Sequence, residues 1–351
     1  MIRMNHFNSS TARHLPFIAG LASAALLLIS PEAAAAQPAR AAAAAAPQPV
    51  AAAPALRSMH VAGNIWVIVG QGGNVTVQVG DAGVLVVDTQ FAAGAEALIA
   101  EIARISGDKP IRYILNTHVH DDHIGGNARL RSAGRQVIGG NVARDVGARG
   151  GEAAGATIIA TSGVLDRMSE IKDLPSAAMP DDAFPGELFD FGFNGEAVQM
   201  VHIPHAHTDG DMLVHFRRSD VIVAGDLLNM NSYPFIDEAR GGHIDGVIDA
   251  LNRILLIAVP ADKQEGGTMI IPGHGRLTDE ADVVEYRDML TIIRDRVRAS
   301  VAKGLTIQQV KATRPTLDYD GRWGQTTGRW TTEQFVEAVY RGVKAPAKQE
   351  D

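Results

Sequence analysis

Thr117-His118-Val119-His120-Asp121-Asp122-His123-Ile124-Gly125-Gly126 is the stretch that decides this chain. Its imidazoles and carboxylates are poor material for a core and good material for a pair of metal sites. In extended backbone, side chains at i and i+2 point the same way, so His118 and His120 can grip one cation together. Asp122 and His123, turned by the loop that follows, then face a neighbouring position. Neutral imidazole and carboxylate oxygen are ligands that zinc accepts. A single His-x-His would read as a solvated loop. The full H-x-H-x-D-H pattern, directly after the apolar run 111–115, reads as metal binding.

Four residues are too few for two metals, so further ligands are expected downstream. Three candidates each end an apolar stretch: His207 in Pro204-His-Ala-His-Thr-Asp-Gly-Asp211, Asp226 in Val221-Ile-Val-Ala-Gly-Asp-Leu-Leu228, and His274 in Met269-Ile-Ile-Pro-Gly-His-Gly275. A strand that ends in a ligand lets a rigid sheet aim the side chain, and the loop beyond leaves room for substrate.

With these segments in this order, the chain resembles the metallo-β-lactamase-fold hydrolase superfamily over most of residues 61–276. The resemblance implies a four-layered αβ/βα sandwich of two mixed sheets flanked by helices. Strand-and-helix alternation alone supports only a general α/β class. It further implies that His118, His120 and His207 hold a first zinc, that Asp122, His123 and His274 hold a second, and that Asp226 bridges them. Of two histidines near residue 207, the family pattern His-Thr-x-Gly-Asp selects His207 over His205. Iron and manganese are the alternative metals for this ligand set.

The same resemblance separates subgroups. Cysteine-type β-lactamases place a thiolate at the second zinc, and this chain has no cysteine. The subclass with a histidine where His123 stands usually carries serine at the position of Asp226. Asp226 looks instead like the bridging aspartate of glyoxalase II and the acyl-homoserine lactonases. Flavodiiron proteins carry glutamate where this chain has His120, which argues against a di-iron redox centre. An iron dioxygenase of the same fold remains an alternative.

The expected function is therefore a binuclear zinc hydrolase that opens a small amide or ester, as a β-lactamase does, by attack of metal-bound hydroxide on a carbonyl. A lactonase or thioester hydrolase is the alternative that Asp226 favours. A non-catalytic metal-binding or relay protein is the alternative from another class. The expected catalytic residues are Asp122, which orients the nucleophile, Asp226, and Tyr233. A tyrosine after the bridging aspartate assists the leaving group in lactonases of this fold, whereas packing beside Pro234 is the plainer account of Tyr233. Asn229 stands at a comparable distance. Asp88 is expected to support the metal loop or simply to start a turn, and Asp211 to accept from a ligating imidazole. Thr208 is equally explained by local turn bonding. Trp66, Trp323 and Trp330 read as packing or surface anchors, His202 and His215 as strand-face residues, and His243 as preceding a helix.

Residues 1–36 read as a secretory signal: Arg3 and Arg13, an apolar run over 15–29, and Ala34-Ala35-Ala36 before Gln37. Residues 37–57 read as a disordered Ala/Pro tether. Residues 58–302 form the expected catalytic domain and 303–351 a helical tail that packs on it or serves self-association. The implied location is periplasmic or secreted, with no membrane association after cleavage. A formal charge of −8 gives no basic field for nucleic acid, so the expected partner is a small-molecule substrate.

Short Val-rich runs at 65–69, 75–79 and 84–87, separated by glycine, predict strands. Helical spacing marks 93–105, 244–257, 280–301, 308–312 and 332–343. Gly125-Gly126-Asn127 is expected to open a helix whose amino end points toward the metals. Residues 151–185 carry a weak pattern and read as a flap beside the site.

Overall fold

Strand β4 (Gly83–Val87) is buried along its whole length, and its side chains divide between two cores. Val84 and Val86 face one cluster while Leu85 and Val87 face another. Such a period-two split is what a sheet covered on both faces requires. The computed structural model describes residues 56–138 and 151–345.

A seven-stranded mixed sheet contains β4 and, in chain order, β1 (Arg57–Ala62), β2 (Ile65–Val69), β3 (Val75–Gly80), β5 (Ile111–Leu115), β8 (Thr157–Thr161) and β9 (Asp182–Phe184). The strands β1 to β4 run antiparallel, whereas β4, β5, β8 and β9 pair in parallel. A separate pair joins β6 (Arg135–Ile138) to β7 (Gly151–Ala154). The second sheet orders β10 (Leu188–Phe193), β11 (Glu196–Ile203), β12 (Asp211–Phe216), β13 (Val221–Asn229) and β14 (Met269–His274), with only β13 and β14 parallel.

The two sheets face each other across Leu85, Val87, Leu115, Met200, Met212, Val214, Val223 and Ile271. Outside the first sheet, α1 (Ala95–Ser106) buries Leu98 and Ile102 and α3 (Asn127–Ala133) buries Leu130. Outside the second, α5 (Ile244–Ile257), α6 (Glu280–Ala302) and, after the short α7 (Ile307–Ala312) and α8 (Asp320–Trp323), α9 (Thr332–Lys344) bury Leu251, Ile254, Leu290, Ile293, Phe335 and Val339 against Ile222 and Ala224. The layers are helix, sheet, sheet, helix, as the resemblance implied.

Local chemistry starts and stops the outer helices. Gly107 ends α1 in the left-handed conformation (φ 66°), with its N–H on Ala103 O. His243 caps α5 by accepting the Asp245 N–H, and Thr331 and Gln334 form a capping box on α9. Val310, Trp323, Phe335 and Val339 of the C-terminal stretch thus pack into the core of the second half.

The stretch 151–185 differs from the expected flap. It supplies β7, β8, β9 and α4 (Ser162–Ser169), whose Val164 and Met168 are buried with Val119 and Ile124 behind the metal loop. Its helical period was obscured by a mere eight-residue length and by polar exposed positions. The expected leader, most of the tether and residues 346–351 lie outside the described residues. No helix among the described residues is long and apolar enough to cross a membrane.

Candidate metal centre

After β5, the chain bends at Thr117–Val119, is extended at His120 and then closes one turn, α2 (Asp121–Ile124). The bend and the turn, rather than the extended i, i+2 spacing expected, bring His118 and His120 to one group and Asp122 and His123 to the other. Asp88, at the end of β4, holds the segment in place. Its Oδ1 accepts from Thr117 N (2.8 Å) and its Oδ2 from Thr117 Oγ1 (2.7 Å) and His123 Nδ1 (2.8 Å). Asp226 arrives from β13 through a break in strand register at Gly225. There φ is +51°, and a Cβ would lie 2.7 Å from Thr117 Oγ1. On β14, a Cβ at Gly273 would come within 2.0 Å of Asp226 Oδ1, so glycine is what lets the carboxylate in. His274 follows immediately.

All seven residues singled out as ligands converge. Ligand atoms of His118, His120 and His207 lie within 4.8 Å of one another, as do those of Asp122, His123 and His274 and those of His118, His123 and Asp226. Asp226 faces both groups. Its Oδ1 is 3.2 Å from His123 Nε2 and 3.4 Å from His274 Nε2, and its Oδ2 is 3.8 Å from His207 Nε2. Asp122 Oδ2 stands 3.2 Å from His274 Nε2. His205 is in none of these groups.

Hydrogen bonds behind the rings set their tautomers. His120 Nε2 donates to Asp237 Oδ2 (2.9 Å) and His207 Nδ1 to the Phe235 carbonyl (2.7 Å), since both partners can only accept. Thr117 Oγ1, its proton engaged by Asp88, accepts from His118 Nδ1 (3.0 Å). The inward atoms His118 Nε2, His120 Nδ1 and His207 Nε2 therefore carry lone pairs, and the last two face each other at 2.9 Å. Two lone pairs at that distance repel unless a cation lies between them. His118 Nε2, His123 Nε2 and Asp226 Oδ1 are buried without a hydrogen-bond partner, which buried polar atoms rarely are. The donor set fits one divalent ion in the His118, His120 and His207 group and one in the Asp122, His123 and His274 group.

Charge in the metal-free chain follows the same division. Burial, reinforced by His123 and His207, holds the His118 pKa well below the usual imidazole value. Burial also brings His207 down to about 4, against the pull of Asp226. Burial opposes the cation at His123 and His274 as well, but Asp226 outweighs it with Asp88 at the former and Asp122 at the latter. The His123 pKa lies well above the ordinary value and that of His274 reaches about 9. Asp226, though buried, is held well below the carboxylate range by His274 and His123. Where metal is absent, protons fill the positive role beside Asp226.

A cavity of about 340 Å³ opens over this cluster, lined by His120, Asp122, Asp226, His274, Asn229, Ser232, Phe235, Arg329 and Trp330, among others. Tyr233 does not line it. Its ring is stacked on Phe335 (4.6 Å between centroids) inside the helical core. Its hydroxyl donates to the Thr316 carbonyl (3.2 Å) or Asp320 Oδ1 (3.1 Å), so the expected leaving-group role is withdrawn. Burial beside Asp320 raises the phenol pKa further from use. Asp211 also differs from expectation: it accepts the backbone N–H groups of His207 (2.7 Å) and Thr208 (2.8 Å), not an imidazole N–H. Trp330, read as an anchor, is a cavity wall. Sequence reasoning missed Asp237 and Arg329. Asp237 carries no spacing signal, because it also caps a turn by accepting from Arg240 N.

Residues 68–284 match the family described as the metallo-beta-lactamase superfamily. The chain belongs to it. A linear primary-alkylsulfatase from Pseudomonas sp. is 24% identical over 293 residues, 74% of this chain and 53% of that protein. A hydroxyacylglutathione hydrolase from Pelagibacter ubique is 30% identical over 118 residues, 34% of this chain and 36% of that protein. The chain thus spans about half the length of the first and about a third of the second. Among solved structures, a metallo-beta-lactamase from Pontibacter korlensis matches with TM-score 0.51 at 15% identity, covering 67% of this chain and 99% of that one. A stereoselective inverting sec-alkylsulfatase from Pseudomonas sp. matches with TM-score 0.59 at 15% identity, covering 84% of this chain and 52% of that one. At these identities the structural likenesses establish the superfamily's fold and no more.

Proposed function

We propose that the protein is a two-metal hydrolase that cleaves a small ester or amide in the cavity above the His/Asp cluster. One observation carries this reading: the two oxygens of Asp226 address different groups of imidazoles, as a bridging carboxylate can. His118, His120 and His207 would hold one ion and Asp122, His123 and His274 the other, with zinc the first choice and iron or manganese the alternatives. Bound there, such ions polarise the scissile group and make water nucleophilic near neutral pH. Asp122 faces the cavity and orients the attacking water through a hydrogen bond. Phe235 and Trp330 form an apolar part of the cavity wall.

Three substrate classes follow the relatives. The alkylsulfatase likeness covers a larger share of this chain than the β-lactamase likeness and favours a sulfate ester. The hydroxyacylglutathione hydrolase and Asp226 favour a thioester or lactone. Amide opening stays on the panel through the fold. Export by a leader at residues 1–36 belongs to the same proposal, and the mature amino terminus in the periplasmic fraction would test it. Zinc-loaded protein should turn over at least one of an alkyl sulfate, a lactone, an acyl thioester and a chromogenic cephalosporin, and chelator should abolish that turnover. Stoichiometric zinc with no hydrolysis of any of the four would replace the enzyme by a metal-binding or relay protein.

A further inference from the structure

We infer that the cavity takes an anionic substrate whose negative group is read by Arg329, on a loop supplied by the C-terminal segment. The inference rests on the hydrolase reading and narrows its substrate class. Arg329 is exposed at the cavity wall and makes no hydrogen bond or ion pair with any described residue. Of the other described arginines after residue 303, Arg322 pairs with Glu285 and Arg341 with Glu238, while Arg314 lies at a different cavity.

The other ionisable side chains on the cavity wall are His120, His274 and three carboxylates, Asp121, Asp122 and Asp226. The two divalent ions proposed for the cluster would more than offset those carboxylates and favour a negative group in the cavity. Arg329, the one guanidinium among the lining residues, adds a planar fork of N–H donors suited to carboxylate, sulfate or sulfonate oxygens.

The loop is built to hold its backbone still. Thr332 N donates to Gln325 O (2.8 Å) and Gln325 N to Thr332 Oγ1 (2.9 Å), which closes residues 325–332 at the base. Trp330 Nε1 donates to Pro234 O (3.0 Å), and its ring meets Phe235 edge-on at 4.8 Å. Phe235 lies in turn 5.6 Å from the rings of both His120 and His207. A cation on a pinned backbone, without an internal partner, is placed for something that arrives. The adjoining indole and phenyl rings give that anion's apolar body a surface to lie on.

Calorimetric titration of the zinc-loaded chain with hexanesulfonate, hexanoate and hexan-1-ol tests this without hydrolysis. Wild type should bind at least one of the anions roughly tenfold or more tighter than the alcohol. Arg329→Gln should lose most of that preference and Arg329→Lys part of it. The anion that loses more on substitution distinguishes a sulfonate-type head from a carboxylate. Unchanged melting temperatures are expected because the side chain is exposed. Equal anion binding by wild type and Arg329→Gln, or no anion preference in wild type, overturns the inference. None of these ligands is a substrate, so the result stands apart from success or failure of the hydrolysis panel.

Discussion

Asp88 Oδ2 accepts a 2.8 Å hydrogen bond from His123 Nδ1, with both side chains sealed from solvent. Asp88 adopts φ +64° as it leaves β4, so the residue that turns the chain is also the one that sets a ligand's tautomer. The two accounts weighed for it in the sequence are the same fact seen from two sides. Asp88→Asn would turn an amide toward either His123 Nδ1–H or the Thr117 donors, and one donor would lose its acceptor. We predict roughly 10–100-fold weaker metal binding at the His123 group and about 1–3 kcal/mol lower stability. Competitive zinc titration and urea unfolding check both, and wild-type affinity would remove Asp88 from the site.

Asp226→Ala removes the carboxylate that faces both groups. The expected result is metal content falling from two ions toward one and turnover falling far more than stability does. Elemental analysis beside kinetic assay decides it. Two zincs per chain with full activity in this variant would end the bridging assignment.

Tyr233→Phe should behave as a core substitution. It keeps the stack on Phe335 and loses the hydroxyl shared between Thr316 and Asp320, at a cost of about 1–2 kcal/mol. Metal content and kcat should stay within about twofold of wild type. A hundredfold loss of kcat in a fully folded variant would restore the tyrosine to the chemistry.

His215 supplies a pH signature away from the metals. Burial lowers its pKa from 6.5 despite Asp220, with Arg217 acting in the same direction as burial and Glu196 against it. Between that lowered value and 6.5 the unfolded chain binds the extra proton, so stability rises with pH through this window and is lost as pH falls through it. Thermal melts of wild type and His215→Gln at about pH 7.5 and 5 should show wild type losing more on acidification. Equal losses would mean the imidazole titrates normally.

The ligand-bearing residues were legible because their chemistry is local. Histidines and aspartates ended apolar runs at 111–115, 221–225 and 269–273, and a strand end aims its last side chain whatever the sheet order. The helices at 244–257 and 280–302 were legible through their periodicity. α4 and β9 were not, since short elements give too few repeats to set a period.

What the sequence determined by itself was the donor set: which imidazoles and carboxylates are present, in what order, and that strands deliver them. Tertiary structure alone decided which outward nitrogen of each ring is tied down, through Asp88, Asp237 and the Phe235 carbonyl, and so where the lone pairs point. It also decided that Tyr233 turns into the core while Arg329, 103 residues beyond Asp226, reaches the cavity wall. The reason is physical: a side chain's own chemistry travels with its letter, whereas its orientation and neighbours depend on contacts between segments far apart in the chain.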